Sequence, residues 1–343
     1  MAIRVALLGI GNASSILLQG LEYYKGDNEE GLWHTKVGNY TISDISIVGA
    51  FDIDKRKVGL ELTEAIFVNN ITRYTKVPKS GIIVNSGILE DELPLHLREI
   101  INVNSNSYDN LISSLKEIKP DIVVNLISSG LDNTSKLYAK ASLEVGADFI
   151  NATPTDLKSF LPLFKEKGLM IVGDDLMSQF GGTAFHKSMI DFMVERGVKI
   201  EKSYQLDVGG STETLNTINE KIKESKRRVK TTSIDIEAPY EFESIAGTTE
   251  YTQFLNDERV SYYWMKSKGF MNTPITIDIV LRTHDGSNAA NVLLDVIRAV
   301  RYAKDNNRLE LIDIIASYGF KNSQKIKKIR EAYKEFVDIF VNV

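Results

Sequence analysis

The chain has 343 residues, 43% hydrophobic and 25% charged, which is the balance of an ordinary soluble globular protein with room for about two domains. A net charge of −5 leaves no global basic field for nucleic acid or an anionic membrane, so neither is expected as a partner. There is no cysteine, which excludes disulfide scaffolds, thiol nucleophiles, cysteine-ligated zinc and iron–sulfur clusters; a cytoplasmic setting is expected.

No apolar run approaches the ~18 residues of a spanning helix. The opening run, from Met1 to Leu8, reads as a buried first strand and not as a signal segment, because Gly9-Ile10-Gly11 interrupts it and no small-residue cleavage site follows. Asn12 to Tyr24 carries Ile16, Leu17, Leu21 and Tyr24 at helical spacing. Ile45 to Phe51 is a second apolar strand ending in Asp52. The pattern then predicts a helix over Asp54–Ala65, a short strand at Ile82–Val84, a helix over Tyr108–Ile118, a strand at Ile122–Ile127, a helix over Leu131–Val145 and a strand at Asp148–Ile150. Such alternation favours a parallel sheet with helices on both faces.

The pattern changes after about Asp156. Lys158–Lys167 reads as a helix, Leu169–Val172 as a strand and Phe185–Glu195 as a helix. Lys202–Val208, Thr232–Ile236, Val260–Met265 and Ile275–Leu281 alternate polar and apolar residues, which suits an open sheet with one wet face or an oligomer contact. Ala289–Ala303 returns to helical periodicity.

Gly9-Ile10-Gly11-Asn12 lies where a strand gives way to a helix. Glycines there let the backbone approach a pyrophosphate, while the helix start supplies free N–H groups. Ser14 stands where a third glycine is usual. Asp52, at the end of the second strand, is placed to accept from ribose hydroxyls and to repel the extra phosphate of NADP; the alternative is that it caps the next helix. Strand, glycine turn, helix, strand and acid together point to a nicotinamide-dinucleotide site in a Rossmann-type, doubly wound α/β sheet. Ser128, Ser129 and Gly130 end a later strand on the ligand-binding side of such a sheet.

Ser225-Lys226-Arg227-Arg228-Val229-Lys230 is the densest basic cluster, and on a helix Lys226 and Lys230 share one face. Alone, such a cluster reads as solvated surface. Gly173 to Gln179 follows a strand and precedes a helix; its acids could cap that helix, or Ser178, Gln179 and Thr183 could donate to a phosphate. His34, His96, His186 and His284 have no metal-binding spacing.

In order along the chain, these segments resemble the myo-inositol-1-phosphate synthase family in its shorter archaeal and bacterial form. Gly9 to Gly20 is similar to G-x-G-N-x-x-S-x-L-x-Q-G. Val172-Gly173-Asp174-Asp175 with Ser178-Gln179 is similar to G-D-D-x-x-S-Q, and Tyr204-Gln205-Leu206 with Val208-Gly209-Gly210 to Y-Q-L-N-V-G-G. Asn216 and Ser225-Lys226 follow in family order. His284 to Ala290 with Asp295 and Arg298 is similar to the D-S-P-N-x-A helix entry, and Ser317 to Lys321 to the terminal lysine segment.

The resemblance implies conversion of D-glucose 6-phosphate to 1L-myo-inositol 1-phosphate. NAD oxidises carbon 5, the carbon 6 enolate closes the ring on the carbon 1 aldehyde, and the same NADH reduces carbon 5. It implies Lys226 and Lys321 near the carbon 5 oxygen, Lys230 near the aldehyde oxygen and phosphate, and Asp175 and Asp285 tuning the lysines. Arg259 stands for a further family lysine and keeps only its charge. Gly9, Gly11, Asn12, Ala13, Asp52, Ser128, Ser129, Asn151 and Asp174 are the expected NAD contacts. Ser178, Gln179, Thr183, Ser211, Glu213 and Asn216 are the expected substrate contacts. Ser211 and Glu213 replace a family asparagine and aspartate, and Met177 replaces a lysine. A divalent metal and a homotetramer formed through the inserted sheet are further expectations. The expected division is a NAD-binding Rossmann domain of residues 1–155 plus 285–343, with an inserted α+β catalytic and tetramerisation domain over 156–284. A net dehydrogenase of another phosphorylated small molecule, or a non-catalytic NAD-binding sensor, are the competing readings.

Overall fold

The first strand, β1 (Ile3–Leu8), lies at the centre of a six-stranded parallel sheet. The others are β2 (Ile45–Asp52), β3 (Asn85–Ser86), β4 (Ile122–Asn125), β5 (Asp148–Asn151) and β6 (Ile171–Val172), in the order β3-β2-β1-β4-β5-β6. The computed structural model describes residues 2–26, 28–69, 71–321, 325 and 327–342; Met1 lies outside them. The strands are nearly continuous apolar runs because both faces of the sheet are covered. Val5, Leu7, Ile122, Val124 and Ile150 pack on one side with helices Asn12–Tyr23 and Asp285–Asp305. Ala6, Leu8, Val123 and Phe149 pack on the other with helices Tyr108–Ile118 and Asp132–Val145. The period of two thus divides each strand between two cores.

A second sheet has the order β10-β9-β7-β8, from β7 (Lys199–Gly209), β8 (Glu243–Tyr251), β9 (Glu258–Lys268) and β10 (Pro274–His284). Helices Gly182–Glu195 and Glu220–Asp235 cover one face of it around Ile190, Ile200, Ile234, Ala246 and Met265. Helix Asp285–Asp305 leaves β10 directly and returns to the first sheet, where Val292, Leu293, Val296, Ile297 and Val300 are buried. Its Arg298 is also fully buried; it pairs with Asp295 at 2.6 Å and donates to the His34 and Thr35 carbonyls, which anchors that loop.

Three expectations fail locally. The helix predicted over Asp54–Ala65 is a series of turns followed by a short helix at Leu62–Ala65. Asp54 instead accepts from the Arg56 backbone and guanidinium, which holds a turn. The strand expected at Ile82–Val84 is displaced to β3, with Ile83 making a single bridge to Glu61. Thr232–Ile236, read as strand-like, lies at the end of helix Glu220–Asp235; its alternation is too short to outweigh the helical run before it.

Candidate active site

Helix Asn12–Tyr23 begins directly behind the glycine turn. Gly9 has a φ of +86°, and a Cβ there would lie 2.9 Å from the Leu126 carbonyl. A Cβ on Gly11 would meet nothing within 4 Å. The helix has no side-chain N-cap and no acid in its own first turn, and its positive end opens beside Gly11, Asn12 and Ala13, all of which line one cavity. Ser14, in place of the third glycine, donates to the Gly9 carbonyl at 2.6 Å and stiffens the turn.

Asp52 also lines this cavity. One of its oxygens accepts the Ile10 N–H at 2.7 Å and the other accepts the Asp54 N–H at 2.8 Å, while Lys57 Nζ lies 3.4 Å away. Asp52 therefore ties the glycine turn to the second strand. Lys57 donates to the same oxygen as Ile10, so the oxygen that accepts from Asp54 is the one that keeps a further lone pair facing the cavity.

The same cavity, of about 310 Å3, extends from the glycine turn past Ser128 and Ser129 to Lys226, Lys230, Arg259 and Lys321. Lys226 and Lys230 both face it from helix Glu220–Asp235, as their spacing predicts. Arg259 comes from β9. Lys321 comes from the C-terminal segment, which pairs with residues 175–177: Met177 N–H donates to the Gly319 carbonyl at 2.8 Å and Lys321 N–H to the Asp175 carbonyl at 3.0 Å.

Each cation has a carboxylate partner. Lys230 pairs with Asp207 at 2.8 Å, Arg259 with Asp285 at 2.6 Å, Lys321 with Asp175 at 2.8 Å and Lys226 with Glu213. Glu213 also accepts from the Ser129 hydroxyl and, at 3.4 Å, from the Ser129 N–H, which joins the segment after β7 to the segment after β4. Burial pushes the Asp175 carboxyl up, but the Lys321, Lys226 and Lys230 charges together outweigh it and hold it ionised below the usual range. Burial and the Arg259 and Lys321 charges push the Lys230 ammonium down, against the opposing pull of Asp207.

Ser178 and Ser211 line the cavity, and Ser211 also caps the short helix Thr212–Leu215. Several expected contacts lie outside its lining. Asn151 is fully buried, accepting from Asn125 and donating to the Thr153 and Thr155 carbonyls. Gln179 accepts from Asn291 at 2.6 Å and faces a separate crevice. Asn216 is buried behind Glu213 and contacts His96 at 3.3 Å. Thr183 and Asp174 are buried away from the lining, and Met177 faces the separate crevice.

Two acids escaped the sequence reading. Asp257 lines the cavity, accepts from Asn12 at 3.2 Å and leaves its other oxygen buried and unpartnered; burial pushes its carboxyl up. No sequence pattern marks it. Asp207 stands where the quoted motif has asparagine. Ser203, Gln205 and Asp207 alternate inward along β7, and that polar, buried period was the available signal.

A sequence profile of the myo-inositol-1-phosphate synthase family matches residues 181–286. Over 339 residues the chain is 32% identical to the inositol-3-phosphate synthase of Mycolicibacterium smegmatis, covering 94% of this chain and 93% of the relative. The chain belongs to the myo-inositol-1-phosphate synthase family. The inositol-3-phosphate synthase of Corynebacterium glutamicum is likewise 32% identical, with 88% of each chain covered. A myo-inositol-1-phosphate synthase-related protein from Thermotoga maritima superposes with a TM-score of 0.81 over 98% of both chains at 22% identity, which shows that the synthase-family fold extends over both sheets.

Proposed function

We propose that the protein converts D-glucose 6-phosphate to 1L-myo-inositol 1-phosphate with a bound NAD that is regenerated in each turnover. The carrying observation is that one cavity joins the glycine turn and Asp52 to four paired cations: Lys226, Lys230, Arg259 and Lys321. The open space at Gly11 and the uncapped helix start fit a pyrophosphate, and the Asp52 carboxylate fits a ribose.

NAD supplies reversible hydride transfer at carbon 5 of the sugar. The chain's own residues handle charge and protons. Lys226 and Lys321 supply positive charge where an oxyanion develops, each held on the cavity wall by its carboxylate partner. Asp175 and Glu213 hold these ammonium groups in place. Lys230 and Arg259 offer fixed charge to the aldehyde oxygen and phosphate, and Arg259 acts without giving up a proton. Ser178 donates to the phosphate. Among the described residues no group of three or more His, Asp or Glu side chains is arranged to hold a metal, so no step is assigned to one.

The outer face of the second sheet supports tetramer assembly. It displays the stacked pair Tyr204 and Trp264 together with exposed Leu206, Ile245 and Val280. No helix among the described residues is long and apolar enough to cross a membrane. We assign the substrate work to the region around the second sheet and cofactor binding to the first.

The test is incubation with glucose 6-phosphate and substoichiometric NAD, followed by phosphorus NMR. Inositol phosphate should exceed the NAD supplied many-fold with no lasting rise in NADH absorbance. One NADH formed per substrate consumed would establish a net dehydrogenase instead.

A further inference from the structure

Asp207 touches the site only from behind. Its side chain is fully buried and does not line the cavity, whereas both cations it faces do. One oxygen accepts from Gln205 Nε2 at 2.8 Å and Ser261 Oγ at 2.6 Å. The other accepts from Lys230 Nζ at 2.8 Å and lies 3.7 Å from Arg259 Nη1. The Gln205 amide is oriented in turn by buried His186, whose Nδ1 faces Gln205 Oε1 at 3.3 Å while Nε2 meets Ser203 Oγ at 2.6 Å.

We propose that Asp207 is a positioning residue: a shared counter-ion that keeps Lys230 protonated and aimed into the cavity beside Arg259. Two buried cations side by side repel each other, and burial penalises both. Arginine cannot relieve this by losing a proton, so the lysine must. The surrounding groups leave Asp207 with that task. From β9 come Arg259, Ser261 and the neutral phenol of Tyr263; from helix Glu220–Asp235 comes Lys230; from the C-terminal segment comes Lys321, a further cation. His186, on helix Gly182–Glu195, is held neutral by burial. Asp285 is committed to Arg259 through the opposite guanidinium nitrogen, and Asp175, which also feels the Lys230 charge, is committed to Lys321 at 2.8 Å. The hydrogen bonds from Gln205 and Ser261 fix the carboxylate, so its free lone pairs point at the two cations. Asp207 pulls the Lys230 ammonium up against burial and the neighbouring cations; without it, that opposing pull is lost and Lys230 gives up its proton more readily.

This proposal rests on the synthase reading for its kinetic consequence but not for its direct test. The direct test is trace acetylation of Lys230 against pH in the intact protein without substrate, read by peptide mass spectrometry. The isosteric Asp207→Asn should move the labelling midpoint down by about one pH unit or more. Arg259→Gln, which removes the competing cation and leaves Asp207 to Lys230, should move it up. The two shifts of opposite sign are the signature of a shared counter-ion. An unmoved midpoint in either variant, or shifts of the same sign, overturns the proposal, and if Asp207→Asn does not fold, Asp207→Ser takes its place with the same expected downward shift. In turnover, Asp207→Asn should lose kcat at alkaline pH and recover towards the parent as pH falls. A uniform loss at every pH marks a merely structural role and overturns it. If the parent makes no inositol phosphate, the functional reading fails while the labelling result still stands.

Discussion

Lys321 is tied twice to Asp175: its ammonium lies 2.8 Å from the carboxylate and its backbone N–H donates to the Asp175 carbonyl at 3.0 Å. A side chain from the end of the sequence is thereby fixed against the segment that follows β6. Both its charge and its backbone register are set by one residue.

Lys226→Ala and Lys321→Ala should each lower turnover by roughly two to three orders of magnitude, the usual effect of removing a donor that meets developing charge. NAD affinity and the melting temperature should change little. Because both act on one transition state, the double variant should lose less than the product of the single losses. Lys325, mostly exposed and paired with Asp313 at 2.5 Å, should tolerate alanine. Near-parental rates for both variants would remove the two lysines from the chemistry.

The two glycines of the turn should fail differently. Gly9→Ala forces a Cβ against the Leu126 carbonyl at a left-handed φ, so it should lower the melting temperature of the protein without cofactor. Gly11→Ala meets no protein atom and should leave that temperature unchanged while weakening NAD binding, because the proposed pyrophosphate position is that open space. Differential scanning fluorimetry with and without NAD separates the two.

Asp52→Ala should weaken NAD binding and narrow the preference for NAD over NADP. It removes the proposed ribose acceptor and releases Lys57, which lies 3.4 Å away, to meet the extra phosphate. Titration of both cofactors by intrinsic fluorescence reads the ratio. Equal affinities in the parent would remove Asp52 from that role.

His186 gives the protein an acid-side weakness. Burial holds its pKa down at about 4, below the ordinary value of 6.5. Unfolding therefore takes up a proton between those values, and stability is lost as pH falls from about 6.5 to about 4. The loss is on the order of 3 kcal/mol across that window. His186→Gln should flatten this part of the profile in chemical denaturation at pH 7 and pH 5. An unchanged slope would show that the imidazole is already protonated in the folded state.

The sequence by itself determined the elements whose signal is local. β1, the glycine turn, helix Tyr108–Ile118 and the long helix carrying Asp295 and Arg298 follow from apolar period and turn chemistry. Family-like segments at Gly9 to Gly20 and Ser317 to Lys321 were likewise legible, because each is contiguous. Period also placed Lys226 and Lys230 on one helix face. Only the tertiary structure decided which carboxylate meets which cation. Asp207 reaches Lys230 and Arg259 because β7 and β9 are antiparallel neighbours beneath the lysine helix, and Lys321 reaches Asp175 because residues 319–321 pair with 175–177. Neither relation has a sequence period to betray it. The turn at Asp54 and the displacement of the expected strand at Ile82–Val84 were hidden for the same reason. A side chain's choice between capping a helix and holding a turn depends on partners that only the fold brings within hydrogen-bond reach.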